Sequence, residues 1–401
     1  MKSKISSPRI AFVTNVLSHY RVPCFQHLAE MMKDQITFFF LTQEMAHRQN
    51  ILYQKKPPFP SIWLKGLAWH RPPIDDLHLN DLRPVLNGGY DRLVLCGWFE
   101  PSFWLLWLWG AAVGKPILFF IESTAYDGPR RRWREICKRL LLRKAAGCVV
   151  PGRRSFEYCA RLGMKEELIF VAPNSVDQAY FRKRVADLRP QREVLRRELG
   201  VQGITLLFVG RLVEEHKGVS TLIKAFKKIE NQSKPLHLLI VGAGPDLPYY
   251  EDLTKKMGAE GVRFLGERNQ NQLCQIYAAA DIFILPSLCE QWGLVLNEAM
   301  EFGLPLVVSE AVGAGPDLVR PGKNGFVFPV GDEEVLGRIL TDLVREEELR
   351  NRLGQASRMM IRDFSPENWA RGMSRAIASL GRPPGSIAGE LPMVPRIEEK
   401  P

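Results

Sequence analysis

The chain of 401 residues is 46% hydrophobic and 25% charged, which excludes a disordered chain and is too long for one ordinary core, so two domains are expected. Its seven cysteines (Cys24, Cys96, Cys137, Cys148, Cys159, Cys274, Cys289) are odd in number and contain no C-x-x-C pair, a pattern that suits a reducing cytosol and argues against a disulfide framework or structural zinc. The formal charge of +11 is unevenly placed, with 29 Lys and Arg against 16 Asp and Glu in residues 1–190 and 26 against 28 in residues 191–401.

The opening MKSKISSPRIAFVTNV is basic, but its apolar run ends at Thr14 and Asn15, too soon for the core of a signal peptide, so secretion is not indicated. Residues 9–16 predict a strand, SHYR a loop, 22–32 a helix and 35–42 a second strand. Further strands are expected at 92–98, 116–123, 147–152 and 168–174. The most apolar region, 93–121, is broken by Glu100, Pro101, Gly114, Lys115 and Pro116. A membrane span needs about 20 uninterrupted apolar residues, so strand, helix, strand is expected instead. Within it Trp98, Trp104, Trp107 and Trp109 have near-helical spacing and are expected in the core, with one or two available to stack on a sugar or meet lipid.

GPRRRWREICKRLLLRKAAG (128–147) sets eight basic residues, Arg130, Arg131, Arg132, Arg134, Lys138, Arg139, Arg143 and Lys144, against the single acid Glu135. Interleaved Trp133, Ile136, Leu140 and Leu141 make it amphipathic. Two readings fit, a solvated basic face over a core-packed helix and a helix lying through 130–144 on an anionic membrane. No nucleic-acid motif accompanies the charge, so nucleic acid is not expected as a partner.

Residues 182–200 are charged and helical with Pro190 interrupting. The alternation then restarts, with strands at 204–210, 236–242, 262–266, 281–287 and 305–310 and a helix at 219–229. FSPENWARGMSRAIASL (364–380) predicts a late helix with Ser365 as N-cap and Pro366 in its first turn. Residues 381–401 have little to bury and read as a disordered tail. Strands alternating with helices predict an α/β fold of two doubly wound, Rossmann-like domains with parallel sheets. Facing one another, they would leave a cleft between the carboxyl ends of their strands. The expected division is an N-terminal domain over 1–180, a linker over 181–200, a C-terminal domain over 201–363, the late helix and the tail.

VGAGPDL occurs at 241–247 and again at 312–318. The flanks differ, so duplication of a whole unit is not expected. Leu247 and Leu318 stand where a dinucleotide fingerprint needs its third glycine, which disfavours an oxidoreductase. Each copy predicts a strand-to-helix turn. Three further segments end predicted strands. Arg211 and Lys217 flank a turn that opens a helix, a combination that attracts anions. Glu290 and Glu298, eight residues apart, could grip hydroxyls at opposite ends of a diphosphate-centred ligand. The glycine-rich loop 309–332 follows beside Glu290.

Together, G-R-L…K-G, then P-S…E-x7-E-A-M…G-x-P, then V-G…G-P-D-L-V…G…N-G-F resemble the retaining GT-B glycosyltransferases of family 4, the class with a glycosyl transferases group 1 domain. The likeness is strong over about 200–332 and extends weakly to SHYRVPCF and VAPNSVD. It implies the GT-B fold, a late helix that crosses back onto the first domain, and a nucleotide-diphosphate sugar held by the second domain as donor substrate, with no cofactor. Arg211 and Lys217 would neutralise the diphosphate, Glu298 hold the ribose and Glu290 bind the transferred sugar. Backbone at Trp292, Gly293, Leu294 and Val295, with Gly266 and Gly315, would complete the donor side. No D-x-D occurs, so metal is not expected. Departures lie in the first domain. Glu122 stands about where many relatives have histidine, Asp317 where Glu is common, and Asn15 with Ser18, His19, Tyr20 and Arg21 replaces a frequent G-G pair. His19, Arg21 and Glu122 are the candidate acceptor contacts.

The resulting expectation is transfer of a hexose from a UDP- or GDP-sugar to a saccharide or lipid-linked acceptor, in the cytoplasm or at the inner face of its membrane, as in making cell-envelope polysaccharide. The alternatives are a non-catalytic sugar-nucleotide or glycan-binding homologue and, less favoured, a dinucleotide oxidoreductase.

Overall fold

A computed structural model describes residues 8–43, 53, 55–71, 74–127, 131–230 and 235–380. The chain divides into two compact units, the first made of 1–123, 129–175 and 366–401 and the second of 124–128 and 176–365.

The first unit runs β1 (Ile10–Thr14), α1 (Val22–Met32), β2 (Ile36–Phe40), β3 (Ser61–Trp63), a hairpin of β4 (Gly66–Arg71) and β5 (Ile74–Asn80), α2 (Arg83–Leu86), β6 (Arg92–Cys96), α3 (Pro101–Ala112), β7 (Ile117–Phe120), α4 (Arg132–Arg143), β8 (Gly147–Val150), α5 (Arg153–Arg161) and β9 (Ile169–Val171). Its sheet has the order β3-β2-β1-β6-β7-β8-β9, with parallel pairings throughout. Strands such as ILFF and GCVV are buried along their whole length, as parallel strands covered on both faces must be. One face packs Phe103, Leu106, Leu141, Leu142 and Tyr158 from α3, α4 and α5.

The second unit runs α6 (Gln178–Leu188), α7 (Arg192–Glu198), β10 (Ile204–Val209), α8 (Glu214–Lys217), α9 (Val219–Ile229), β11 (Leu236–Val241), α10 (Leu247–Met257), β12 (Val262–Gly266), α11 (Gln270–Ala279), β13 (Ile282–Leu285), α12 (Leu294–Glu301), β14 (Leu306–Ser309), α13 (Gly315–Leu318), β15 (Gly325–Phe328), α14 (Glu333–Arg345) and α15 (Glu347–Met360). Its sheet is β12-β11-β10-β13-β14-β15, again parallel. Local sequence sets several helix starts. Asn269 and Gln272 form a capping box at α11, and the Asp332 carboxylate accepts from the Glu334 and Val335 amides at α14. Residues 181–200, expected as a linker, are largely helical and belong to this unit. Arg192 and Arg196 both pair with Asp281, at 2.7 and 3.1 Å.

The last helix, α16 (Pro366–Ser379), belongs to the first unit. It packs with α1 on the sheet face opposite α3 and α4, burying Trp369, Met373 and Ile377 among Phe12, Phe25 and Phe120. Gly372 meets the chain so closely that a Cβ there would lie 2.2 Å from the Val171 carbonyl oxygen. The tail 381–401 lies outside the described residues.

Both sheets have a switch point where strand order turns back, between β1 and β6 in the first and between β10 and β13 in the second. In open α/β sheets ligands bind beyond the carboxyl ends of the strands at this place.

Since Trp369 is fully buried, Trp369→Ala should lower the stability of the first unit by about 3–5 kcal/mol. Urea unfolding followed by near-ultraviolet circular dichroism reads this. A loss under about 1 kcal/mol would mean that α16 is not part of that core.

Candidate functional site

At the second unit's switch point Arg211 follows the end of β10 and is exposed, and it makes no ion pair among the described residues. Lys217, at the end of α8, lies against Gly210, where a Cβ would sit 3.7 Å from its Cε. Lys217 Nζ forms an ion pair with Glu290 Oε2, both side chains largely buried. The two are brought together by backbone. The His216 carbonyl accepts from the Leu288 and Cys289 amides at 2.8 and 3.0 Å. Gly218, in the left-handed region at φ 56°, lets α8 approach so closely that a Cβ would lie 2.8 Å from the Pro286 carbonyl oxygen.

The helix opening after Lys217 is not a free anion site. At the start of α9, Ser220 N donates to Glu214 Oε2 at 3.2 Å and Ser220 Oγ donates to Oε1, so a carboxylate of the chain already occupies the positive end expected to help bind phosphate. The available helix start is that of α12. Gly293 precedes it at φ 94°, ψ 64°, and the first amides of any helix lack intrahelical acceptors. Leu294 and Val295 open this helix half-buried, while Trp292 is buried with its indole Nε1 donating to Asn297 Oδ1 at 3.0 Å. The Trp292 ring therefore belongs to the core, and only its backbone is left for a ligand.

One helical turn on, Glu298 Oε2 accepts from the hydroxyl of buried Tyr277 at 2.8 Å. Burial pushes the Glu298 carboxyl up to about 7, against the pull of that hydrogen bond. Glu301 is likewise pushed up to about 7 by burial, against the opposing pull of Arg182, Arg358 and Arg362.

The two VGAGPDL copies differ in what they do. In the first, Cβ atoms on Gly242 and Gly244 would fall 1.9 and 2.1 Å from the Gly210 and Leu212 carbonyl oxygens. Its glycines serve backbone packing beneath the Arg211 loop. In the second, Glu290 bridges Val312 in parallel fashion. Gly313 N donates to the Glu290 carbonyl at 2.8 Å, and a Cβ at Gly313 would meet the Gln291 carbonyl oxygen at 1.8 Å. Gly315 has room, since its added Cβ would touch only Val308, at 3.9 Å. Gly266 ends β12 at φ 68° with open space around it, on the far strand of the sheet from β15.

In the first unit, Arg21 is buried and its Nη2 donates to Glu122 Oε1 at 2.8 Å; Asn174 Nδ2 donates to the same oxygen at 2.6 Å. Arg21 also lies over the Phe120 ring at 5.0 Å. His19 is half-buried with its ring edge-on to Tyr20. A second polar group was not anticipated. Buried Glu100 accepts from the His78 amide at 2.8 Å and from Asn15 Nδ2 at 3.3 Å. A lone carboxylate inside the apolar run 93–121 was its signal, but the hairpin that carries His78 went unrecognised.

The basic segment forms α4, with Arg130 outside the described residues. Trp133, Ile136 and Leu140 are each more than half exposed, while Leu141 and Leu142 are buried. Trp98 is buried, and Trp104, Trp107 and Trp109 are half-buried. Among the described residues no helix is long and apolar enough to cross a membrane, and no group of His, Cys, Asp and Glu is placed to hold a metal.

Residues 191–360 match the family described as glycosyl transferases group 1. A D-inositol 3-phosphate glycosyltransferase of Corynebacterium aurimucosum is 29% identical over 299 residues, 71% of this chain and 68% of that one. A phosphatidyl-myo-inositol mannosyltransferase of Mycobacterium leprae is 34% identical over 165 residues, 40% of this chain and 43% of that one. The chain spans under half the length of the first curated relatives it matches. Among solved structures, HepE of Anabaena in complex with UDP has the same fold, with a TM-score of 0.73 at 18% identity over 93% of this chain and all of that one.

The Glu298 carboxyl lies at about 7 when folded against an ordinary 4.5, so between those values the folded chain holds a proton that the unfolded chain has lost. The group therefore costs stability progressively as pH rises through this window. Relative to wild type, Glu298→Gln should melt higher as pH is raised from about 4.5 to about 7, with a constant gap above; Glu301 contributes equally to both proteins. A gap that does not change with pH in stepped thermal melts would overturn the assignment.

Proposed function

We propose, from the premise that this chain belongs to the glycosyl transferases group 1 family and has the GT-B fold, that it is a retaining, metal-independent glycosyltransferase. In this reading it moves a hexose from a UDP- or GDP-sugar to a hydroxyl of a saccharide or lipid-linked acceptor. The observation that carries the reading is the convergence, at one switch point, of Arg211, the Lys217–Glu290 pair and the start of α12. Breaking the anomeric carbon–oxygen bond sends an electron pair, and with it growing negative charge, to the leaving diphosphate. Fixed cations and helix amides stabilise that charge more in the transition state than before it.

Lys217 is paired with Glu290 without donor, so an arriving diphosphate competes for the ammonium and frees the carboxylate for a hydroxyl of the transferred sugar. Glu298, held by Tyr277, is the ribose ligand. With no nucleophile assigned, attack comes from the face the leaving group departs, and the phosphate oxygen takes the acceptor proton. The absence of D-x-D from the sequence supports Arg211, Lys217 and amides, in place of a metal, as the phosphate contacts. UDP in the crystal of a protein of the same fold is consistent with a nucleotide-sugar donor.

His19, Arg21 and Glu122 are proposed on the acceptor side. The name of the Mycobacterium relative includes a lipid, and the arginines of α4 suit an anionic surface, so we place the acceptor side at the cytoplasmic face of a membrane.

Thermal shift with UDP, GDP, ADP and their sugar conjugates tests the donor. Stabilisation by one nucleotide family, lost in Glu298→Ala, is expected. Arg211→Ala should lower kcat by about a hundredfold with a smaller effect on KM. Stabilisation by NADH or a free glycan alone would replace this reading with an oxidoreductase or a binding protein.

A further inference from the structure

The hairpin β4–β5 is inside out. Strand alternation sends successive side chains to opposite faces, and here the polar set is the buried one. His78 and Asn80 are buried, with the His78 amide donating to Glu100 and the Asn80 amide donating to Ser102 Oγ at 3.1 Å. The opposite face carries Leu67, paired across the strands with Leu79, and Trp69. All three are exposed, Leu67 by 66%. Folding in water alone favours the reverse register.

β5 packs on α3, and α3 extends the anomaly. From Pro101 to Gly114 it has no charged residue, a composition expected of a helix surrounded by apolar material. Yet only Ser102, Phe103, Leu106 and Gly110 of the helix are buried. Leu105 and Leu108 stand one turn apart on its outer side, Leu108 being 54% exposed. The tryptophans Trp104, Trp107 and Trp109 flank them half-buried.

α3 and α4 are successive crossovers between neighbouring strands β6, β7 and β8 and feed one hydrophobic cluster, so they lie on the same face of the sheet. On α4 the outward apolar stripe is bordered by exposed Arg132, Arg139 and Arg143. Its one acid is turned inward, since Glu135 accepts from the Tyr158 hydroxyl at 2.9 Å and pairs with Lys138 at 3.1 Å. The face is therefore apolar and cationic together, the complement of an anionic lipid surface. Tryptophan is also the residue favoured at the boundary between headgroups and acyl chains.

We infer that hairpin, α3 and α4 form one bilayer-seated face of the first unit, in which α4 arginines bind anionic headgroups while Leu105, Leu108, Leu67 and Trp69 enter the acyl boundary. This deepens the membrane-side reading above, which required only the basic helix, and it is independent of the transfer chemistry.

The two contributions separate by salt, because charge attraction is screened and apolar insertion is not. Flotation of the full chain with phosphatidylglycerol–phosphatidylcholine vesicles, against pure phosphatidylcholine, should show binding that needs the anionic lipid at low salt. A fraction should resist high salt. L105E/L108E should lose the salt-resistant fraction at least about tenfold, and L67E/W69E should behave likewise. R132Q/R139Q/R143Q should lose the low-salt, anion-dependent part. These sites are exposed, and unchanged circular dichroism, melting and nucleotide thermal shift would establish that the fold is intact. L105E/L108E floating like wild type at both salts would overturn the inference and leave binding to α4 alone. Wild type that floats with no vesicle would remove the membrane-side reading as well. A wild-type dimer that L105E/L108E dissociates would assign the face to a second copy of the chain and equally overturn the proposal.

Discussion

The second unit's site depends on how closely two strand-end loops approach. Glu290 and Val312 bridge as if they were strand residues, and the contact closes only because position 313 has no side chain to place against the Gln291 carbonyl. That approach sets the direction in which the chain leaves Glu290. The left-handed turn at Gly293 and the start of α12 follow from it. Gly218 does the same on the other side, bringing Lys217 to Glu290. Two glycines in two loops thus determine where a cation, a carboxylate and a helix start come together. They place no functional group at this site, and its backbone geometry depends on them.

Much of this was legible in sequence. Helices 22–32 and 219–229 coincide with α1 and α9, because each combines a clear apolar stripe with definite stops. The strand at 262–266 has the bounds of β12, and the others were found but read one to four residues too long, since the turn after a parallel strand stays apolar as it passes over the sheet edge. The short β3, the hairpin β4–β5 and β15 were missed. In the hairpin the alternation is present with reversed sense, apolar outward, and a rule that looks for a buried apolar face does not register it. Arg211, Lys217, Glu290 and Glu298 could be named because their spacing matched a family pattern. The partner of Glu298 could not, since Tyr277 comes from α11, elsewhere in the fold. The occupation of the α9 terminus by Glu214 was not legible either, for a helix start invites an anion whether or not the chain supplies one.

The two sheet edges are electrostatically unlike. In the second unit Arg211 is exposed and makes no ion pair among the described residues, while Lys217 pairs with Glu290. In the first unit Arg21 is buried beneath aromatic rings, with one carboxylate oxygen of Glu122 taken by both Arg21 and Asn174. Removing Glu122, itself partly exposed, would leave the buried Arg21 guanidinium without its carboxylate, which is the costly half of such a pair. The first edge thus holds its arginine inside the fold, whereas the second presents one at the surface.

The position of α16 also has a temporal side. The second unit is contiguous in the chain from 176 to 365 apart from the short insert 124–128, whereas the first is split around it. During synthesis the earlier strands emerge first, yet their aromatic core lacks Trp369, Met373 and Ile377 until α16 has been made, after the whole of the second unit. Domains usually complete in the order in which they are made. Here the second unit has all but five of its residues in one stretch that is finished before the last helix appears. The first unit must wait with its aromatic face covered by α1 but not by α16, which packs over β8 and β9, and is the second of the two units to become whole.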